Sequence, residues 1–332
     1  MSADTHILVI GAGSVGKRHA ENLAAQGVSI SFVDPREDRR DELLSKLDLI
    51  GRYSTVEDAL AECTYNGAVI ASPPFVHVEQ ALKCVERKIP VLLEKPVSPS
   101  LKEARLLEAA AASTNVPVLL GYTWRWWPAL KRVKAHLKNK TIGDVRHVRF
   151  VMSAHLADWH PWERYQDFFM ASKAHGGGAL LDESHWVDQM IWMFGMPKSV
   201  YGHVENISDL EIDSDDNVDI IAVYENGLRV TLHLDLYGRP HEKSIRFIGS
   251  KGSLLWTDSP NQVAIATTAE AIWKTEQFTT ERNEMFQAVA SEFLDIINGK
   301  GEPSCTLSDG TAVLRLIESV RTSSTKRKAV LL

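Results

Sequence analysis

The sequence predicts an α/β protein of two domains, with the boundary near Tyr122. The chain has 332 residues, and a single domain usually holds roughly 100–200 residues. Up to Gly121, short apolar runs alternate with amphipathic stretches. Beyond Gly121 the sequence instead shows the pattern of strands and hairpins. We therefore place the first domain at residues 1–121 and the second at residues 122–332.

The first domain carries the pattern of a parallel sheet whose strands are buried on both faces and connected by helices. The apolar runs that predict strands are Ile7–Ile10, Ser29–Val33, Ala68–Ala71, Val91–Glu94 and Val116–Leu120. Helical patterns lie between them, so the predicted layout is a doubly wound α/β sheet.

The second domain is predicted to be α+β, with a mostly antiparallel sheet. Asn226-Gly227 lies between two alternating apolar runs, which is a strong hairpin signal. The predicted strands are Val145–Ser153, Asp219–Tyr224, Leu228–Leu234, Ser244–Ile248 and Ser253–Trp256, and the predicted helices are Pro128–Leu137, Leu180–Phe194, Asn283–Ile297 and Ser308–Thr322.

The composition narrows the class of protein. Hydrophobic residues make up 44% and charged residues 24% of the chain, as in ordinary globular proteins, and no apolar run approaches the ~18 residues of a membrane span. The net charge of −6 argues against nucleic-acid binding. The three scattered cysteines and the absence of a signal segment predict a soluble, cytoplasmic protein without disulfides or a zinc-thiolate site.

A glycine-rich motif, Gly11-Ala12-Gly13-Ser14-Val15-Gly16, follows the first strand and opens a helix. In this context Gly11 permits a tight turn, Gly13 lets the backbone approach a pyrophosphate, and Gly16 allows close packing of helix on strand. The helix N-terminus offers free N–H groups to phosphates. The motif predicts a dinucleotide site of the Rossmann type, with a flavin or a merely structural turn as alternatives.

An acidic residue, Asp34, ends the second strand at the distance where a carboxylate usually holds the adenosine ribose hydroxyls. This favours NAD. Arg36, Arg39 and Arg40 follow closely and would suit a 2′-phosphate, so NADP is disfavoured but stays open.

Two segments lie where parallel strands end, at the carboxyl edge where ligands of such sheets bind. They are Ser72-Pro73-Pro74 and Glu94-Lys95-Pro96. A lysine at this edge reaches both a nicotinamide ribose and a substrate hydroxyl, although Lys95 alone would more simply be a surface lysine.

A third segment, Gly176-Gly177-Gly178, leads into a predicted helix with Asp182 and His185 spaced i,i+3 on one face. Histidine is the natural proton acceptor near neutral pH. A lone helical histidine more often serves packing, but the aspartate on the same face favours a shared ligand.

Together these segments resemble the Gfo/Idh/MocA oxidoreductases over essentially the whole chain. The matching motifs are the glycine motif extended to His19, Ser72-Pro73-Pro74 with His77, Glu94-Lys95-Pro96, Gly121-Tyr122 with Arg125, and the glycine run with Asp182 and His185. The resemblance implies a Rossmann domain followed by a domain with an open sheet that is often used for oligomerisation, here a homodimer or homotetramer.

The resemblance also implies roles. Lys95 would orient substrate and cofactor, His185 would take the hydroxyl proton, and Asp182 would position substrate or imidazole. The expected cofactor-binding residues are Gly11, Gly13, Ser14, Val15, Gly16, Asp34, Arg36, Ser72, Pro73, His77, Glu94, Lys95 and Arg125. Two departures weaken the acid–base assignment: relatives often separate the Asp and His by four residues with a glycine between them, and often carry Asn where Thr123 stands.

An aromatic and polar segment, His155 to Tyr165, has the composition to stack against and hold a sugar, with a packing loop as the equal alternative. The expected substrate-binding residues are Lys95, Tyr122, Arg125, Trp159, His160, Tyr165, Asp182 and His185. A domain-tying ion pair is the alternative for Arg125. No metal site is predicted, and the acidic stretch Asp209–Asp219 is interpreted as a solvated loop.

The leading hypothesis is an NAD(P)-dependent dehydrogenase or reductase of a sugar, sugar derivative or inositol-like polyol. A redox-neutral, NAD-dependent glycosidase or lyase is one alternative. A non-catalytic dinucleotide-binding regulator on the same fold is another.

Overall fold

The computed structural model describes residues 5–44, 47–159, 161–173, 176–269 and 272–332. The chain divides into two compact units, one comprising Met1–Thr123 and Glu281–Thr311, the other Trp124–Thr280 and Ala312–Leu332. Within the described ranges, no helix is long and apolar enough to cross a membrane. All three cysteines are free thiols.

The first unit is built on a six-stranded parallel sheet in the order β3-β2-β1-β4-β5-β6. Its strands are β1 (His6–Ile10), β2 (Ser29–Val33), β3 (Leu49–Tyr53), β4 (Gly67–Ile70), β5 (Val91–Leu93) and β6 (Val118–Leu120). The order reverses between β1 and β4, and this reversal confirms the predicted doubly wound layout.

Within the first unit, strand β3 was not predicted from the sequence. It lies at the edge of the sheet, and none of its residues is fully buried. Because Gly51 and Arg52 interrupt its apolar pattern, the sequence signal of this strand is weak.

Helices connect the strands of the first unit and cover its sheet. They are α1 (Ser14–Ala24), α2 (Glu37–Leu44), α3 (Val56–Glu62), α4 (His77–Glu86), α5 (Leu101–Thr114) and, from the C-terminal part of the chain, α9 (Arg282–Ile297). The amide of Asn22 in α1 donates to that of Asn283 in α9 at 2.9 Å. Residues 281–311 therefore belong to the first unit, whereas the sequence prediction assigned all of 122–332 to the second domain.

The second unit is built on a nine-stranded sheet in the order β14-β13-β12-β11-β7-β10-β9-β8-β15. Its strands are β7 (Val145–Ser153), β8 (Ser199–Glu205), β9 (Asn217–Val223), β10 (Arg229–Asp235), β11 (Glu242–Gly249), β12 (Gly252–Thr257), β13 (Gln262–Ala266), β14 (Lys274–Gln277) and β15 (Val330–Leu331). Among the described residues of this sheet, only β7 and β10 pair in parallel, so the mostly antiparallel sheet is confirmed, as is the β9–β10 hairpin. In this unit β8, β13, β14 and β15 were not predicted from the sequence.

The helices of the second unit are α6 (Pro128–Lys138), α7 (Ala179–Asp182), α8 (Ser184–Phe194) and the later part of α10 (Leu307–Lys326). The sequence predicted one helix over Leu180–Phe194. The structure instead interrupts it at Glu183, where φ is −84° and ψ is 23°. The Glu183 carboxylate accepts a hydrogen bond from Nε1 of Trp186 at 3.1 Å, which holds the start of the second helix.

Candidate functional site

The glycine loop of the first unit has the backbone geometry that its sequence predicts. Gly11 has φ +102°, and a Cβ there would lie 2.7 Å from the backbone of Ala71 and Ser72. A Cβ on Gly16 would lie 1.8 Å from the Gly11 carbonyl oxygen. By contrast, a Cβ on Gly13 would find no atom within 4 Å, so this glycine borders open space.

The N-terminus of α1 opens onto that space. Gly13 is the N-cap residue, no side chain caps the helix, and no acidic residue lies in its first turn. The first backbone N–H groups of a helix, here those of Ser14, Val15 and Gly16, lack partners within the helix and attract anions. The loop therefore fits the pyrophosphate of a dinucleotide.

Asp34 lies beside this loop at the end of β2 and is 4% exposed. Its carboxylate accepts hydrogen bonds from the backbone N–H of Ala12 at 2.7 Å and of Arg36 at 2.9 Å. A carboxylate has about four acceptor positions, so capacity remains for ribose hydroxyls. The guanidinium of Arg36 is hydrogen-bonded to Asp38, at 3.0 Å from Nε to Oδ1.

The segment after β4 is held by His77. Ring nitrogen Nδ1 lies 2.8 Å from the carbonyl oxygen of Pro96, and Nε2 lies 2.7 Å from that of Ser72. Burial lowers the pKa of His77. Pro73 precedes a short 3₁₀ turn, Pro74–Val76. The His77 side chain ties two loops at the carboxyl edge, and its role in cofactor binding stays a prediction.

Glu94 and Lys95 follow β5 at the same edge. The backbone N–H of Glu94 donates to the carbonyl of Ile70 in β4 at 2.9 Å, and that of Gly121 donates to Leu93 at 2.8 Å. The edge thus brings the ends of β4, β5 and β6 together. Tyr122, which follows Gly121, is fully buried.

In the second unit, His185 lies against an aromatic cluster. Its imidazole stacks on the indole of Trp124, with ring centroids 5.7 Å apart and planes at 18°. Trp124 also contacts Trp186 and Trp256 edge-on, and Nζ of Lys243 lies 5.8 Å from its ring centroid. These rings fix the plane of the half-buried imidazole.

The helix break lies between Asp182 and His185, so they do not occupy one continuous helix as the sequence predicted. Asp182 is the last residue of α7, and His185 is the second residue of α8. The i,i+3 argument assumed one continuous helix, which the structure does not show, and the two roles stay predictions.

The glycine run before α7 serves close packing. A Cβ on Gly177 would lie 2.4 Å from the Met170 carbonyl oxygen, and one on Gly178 would lie 2.3 Å from Oδ1 of Asp215. That aspartate accepts a hydrogen bond from the N–H of Leu180 at 2.8 Å, and burial raises its pKa. Asp215 and the fully buried Asp216 correct the prediction that this acidic stretch is a solvated loop.

Arg125 forms a buried ion pair with Asp188 in α8. Nη2 lies 2.6 Å from Oδ1, and Nε lies 3.0 Å from Oδ2. The alternative interpretation of Arg125 was an ion pair tying two domains, but both residues belong to the second unit. Its binding of cofactor or substrate stays a prediction. Asp188 was not predicted from the sequence, although a carboxylate inside the apolar stretch of α8 is a signal that could have pointed to it.

The aromatic segment is irregular in the structure. Trp159 is half-buried after a 3₁₀ turn, and Tyr165 accepts a hydrogen bond from the N–H of Glu211 at 3.3 Å. Tyr165 lines a cavity of about 700 Å³ together with His155 and Arg239. His160 lies outside the described residues. Substrate binding by this segment stays a prediction.

The family to which the chain belongs follows from comparison with known proteins. Residues 5–122 match the model of an oxidoreductase family with an NAD-binding Rossmann fold. Residues 130–255 match the model of the GFO/IDH/MocA C-terminal domain. The chain belongs to the Gfo/Idh/MocA family and is an NAD-binding oxidoreductase.

Individual relatives are distant but match along nearly the whole chain. The uncharacterized oxidoreductase YrbE of Bacillus subtilis is 26% identical and covers 95% of this chain and 93% of its own length. Myo-inositol 2-dehydrogenase of Thermotoga maritima is 24% identical, with 97% of each chain covered. The structure of levoglucosan dehydrogenase with NADH and levoglucosan has a TM-score of 0.88 at 18% identity, with 99% of each chain covered, and shows the same fold.

Proposed function

We propose that the protein is a dehydrogenase or reductase that interconverts a secondary alcohol and a ketone of a sugar, sugar derivative or inositol-like polyol. One observation carries the proposal: at the carboxyl edge of the first sheet a dinucleotide-binding glycine loop follows β1 and Glu94-Lys95 follows β5, with only β4 between the two strands. The polyol class is supported by the Thermotoga relative, which is a myo-inositol 2-dehydrogenase.

The proposed chemistry divides between named groups. NAD⁺, held by the glycine loop and Asp34, would supply the hydride acceptor at C4 of its nicotinamide when bound. Lys95 donates hydrogen bonds to the substrate hydroxyl and orients it. His185, with its ring fixed by stacking on Trp124, accepts the hydroxyl proton as the carbonyl forms. Asp182 positions substrate or imidazole.

The surroundings of Asp34 support NAD over NADP. A 2′-phosphate at this position would face a carboxylate that is already buried, and like charges at short range repel. The guanidinium of Arg36 is bonded to Asp38, whereas Nη1 of Arg39 lies 3.9 Å from Oδ2 of Asp34.

The experiment titrates NAD⁺, NADH, NADP⁺ and NADPH calorimetrically into the purified protein. A panel of sugars, sugar acids and inositols is then incubated with the tightest cofactor, and both the NADH absorbance and the chromatographic conversion of each substrate are followed. Substrate-dependent NADH formation is expected. Cofactor binding with turnover but no net NADH would replace the proposal by the redox-neutral alternative, and binding without turnover of any panel member would favour the regulator.

We further propose that the protein is a homodimer or homotetramer, with the second unit supplying the contact. Ile221 in β9 and Ile248 in β11 are 49% and 42% exposed on the sheet. Burial of such residues against a second copy would remove apolar surface from water. Light scattering that shows only monomer at micromolar concentration would refute this. Cytoplasmic location stays a prediction.

A further inference from the structure

A buried histidine, His19, joins the first helix of the cofactor domain to the end of β5. It lies in the second turn of α1 and is fully buried. Its Nε2 is 2.7 Å from Oε1 of Glu94, a residue 75 positions away in the chain. The ring of Phe286 packs edge-on against the imidazole, with centroids 5.2 Å apart.

The surroundings of the imidazole assign its tautomer. Among the described residues, Nδ1 of His19 has no hydrogen-bond partner. A proton on Nδ1 would therefore be a buried, unsatisfied donor, whereas a proton on Nε2 meets a carboxylate oxygen. The geometry points to a proton on Nε2 that is donated to Glu94.

The Glu94 carboxylate is constrained from two further sides. Its Oε2 accepts a hydrogen bond from the backbone N–H of Lys95 at 3.3 Å. A Cβ on Gly121 would lie 2.8 Å from the carboxyl carbon, so any larger residue there would displace it. With His19, these contacts hold one orientation of a side chain that keeps 12% of its surface exposed at the carboxyl edge.

The same helix carries the glycine loop at its N-terminus. We propose that His19 is a positioning residue that acts on the cofactor through Glu94. By bonding α1 to the end of β5, it fixes the distance between the helix N-terminus, where the pyrophosphate fits, and the Glu94-Lys95 segment. When the two parts of a binding site are already held at the correct spacing, less conformational entropy is lost on binding. The cofactor therefore binds more tightly. The inference rests on the proposed placement of Glu94 at the cofactor and is independent of the substrate.

The test compares two substitutions of His19 by amide side chains, which place the N–H donor at different positions. In His19→Gln the amide nitrogen reaches the position of Nε2, whereas in His19→Asn it reaches only the position of Nδ1. We expect the NADH dissociation constant to stay within about threefold in His19→Gln and to rise about tenfold in His19→Asn, as for one lost hydrogen bond to a charged group. Both are measured by calorimetry, with the melting temperature of each variant recorded alongside.

A double-mutant cycle separates positioning from a merely structural role. Glu94→Ala alone should weaken NADH binding, and adding His19→Asn to it should weaken binding by less than about twofold more, because the two residues act as one unit. Additive losses would overturn the inference, as would equal losses in the Gln and Asn variants that follow their losses of thermal stability.

Failure of this inference can be distinguished from failure of the proposed reaction. If Glu94→Ala leaves NADH affinity unchanged, the placement of Glu94 is wrong and the inference fails with it. If the wild-type protein binds NADH but oxidises no polyol, the proposed reaction fails while the affinity cycle still decides the role of His19. Should His19→Asn not fold, His19→Gln alone decides: retained affinity supports the inference, and a tenfold loss overturns it.

Discussion

Arg125 and Asp188 form a two-point ion pair whose side chains are 4% and 0% exposed. Removing one charge would leave the other buried without compensation, and this usually costs about 3–5 kcal/mol of the free energy of unfolding. We therefore expect Asp188→Asn to destabilise the protein by about that amount in denaturant unfolding monitored by circular dichroism.

An exposed pair provides the matched control. Lys140 and Asp144 are spaced i,i+4, with side chains 72% and 58% exposed. Asp144→Asn should leave the unfolding transition nearly unchanged, because water screens exposed charges. Equal costs for the two aspartate variants would show that the buried pair contributes no more than a surface contact.

The glycine loop allows stability to be separated from cofactor binding. A Cβ on Gly16 would collide with the Gly11 carbonyl oxygen, whereas one on Gly13 would enter open space. We expect Gly16→Ala to lower the free energy of unfolding by about 1–3 kcal/mol through overpacking. Gly13→Ala should keep the stability and raise the NAD dissociation constant about tenfold or more, equivalent to about 1.4 kcal/mol.

The control for both glycine variants is Gly301→Ala, since a Cβ there also meets no atom within 4 Å and lies outside the loop. It should change neither the unfolding transition nor the calorimetric titration. Normal NAD affinity in Gly13→Ala would mean that the cofactor does not approach this backbone.

The parts of the fold that could be predicted are those encoded by local periodicity. The bounds of β7, Val145–Ser153, follow from an alternating run, and the β9–β10 hairpin follows from Asn226-Gly227. The edge strand β3 was missed because its apolar pattern is incomplete.

The candidate site was predicted less completely because several of its contacts join distant residues. The Arg125–Asp188 pair spans 63 positions and the His19–Glu94 pair spans 75. Neither spacing has a sequence signature, since only the tertiary fold brings these residues together. The break at Glu183 likewise depends on tertiary packing, because the local sequence of that stretch favours a continuous helix.

Stability should depend on pH through His233 in β10. Its imidazole lies between the carboxylates of Asp235, at 3.0 Å, and Asp219 of β9, at 2.8 Å. The hydrogen bond to Asp235, followed by that to Asp219, raises the pKa of His233 from 6.5 to about 9. A raised pKa stabilises the folded state fully below the unfolded value, and that stabilisation is lost as pH rises from about 6.5 through about 9.

The side chain of His233 is 34% exposed, so solvent screening reduces the expected loss to about 1 kcal/mol. Urea unfolding at intervals from pH 6 to 10 measures it. In His233→Gln the decline over this window should be smaller, while His147→Gln, which removes an imidazole from the neighbouring β7, should leave the slope intact. An unchanged slope in His233→Gln would place the titrating group elsewhere.

Lys95 provides the test of the proposed chemistry. It follows Glu94 at the carboxyl edge, and in the proposed reaction it orients the substrate hydroxyl. Lys95→Ala should lower kcat about a hundredfold or more, the cost of losing a near-attack geometry. The NAD dissociation constant should change little, because the glycine loop and Asp34 remain.

The control is Lys102→Ala, which replaces an exposed lysine in α5 and should alter neither kcat nor the NAD dissociation constant. Unchanged turnover in Lys95→Ala would remove this residue from the mechanism, whereas a loss of NAD affinity without a loss of kcat would make it a cofactor ligand alone.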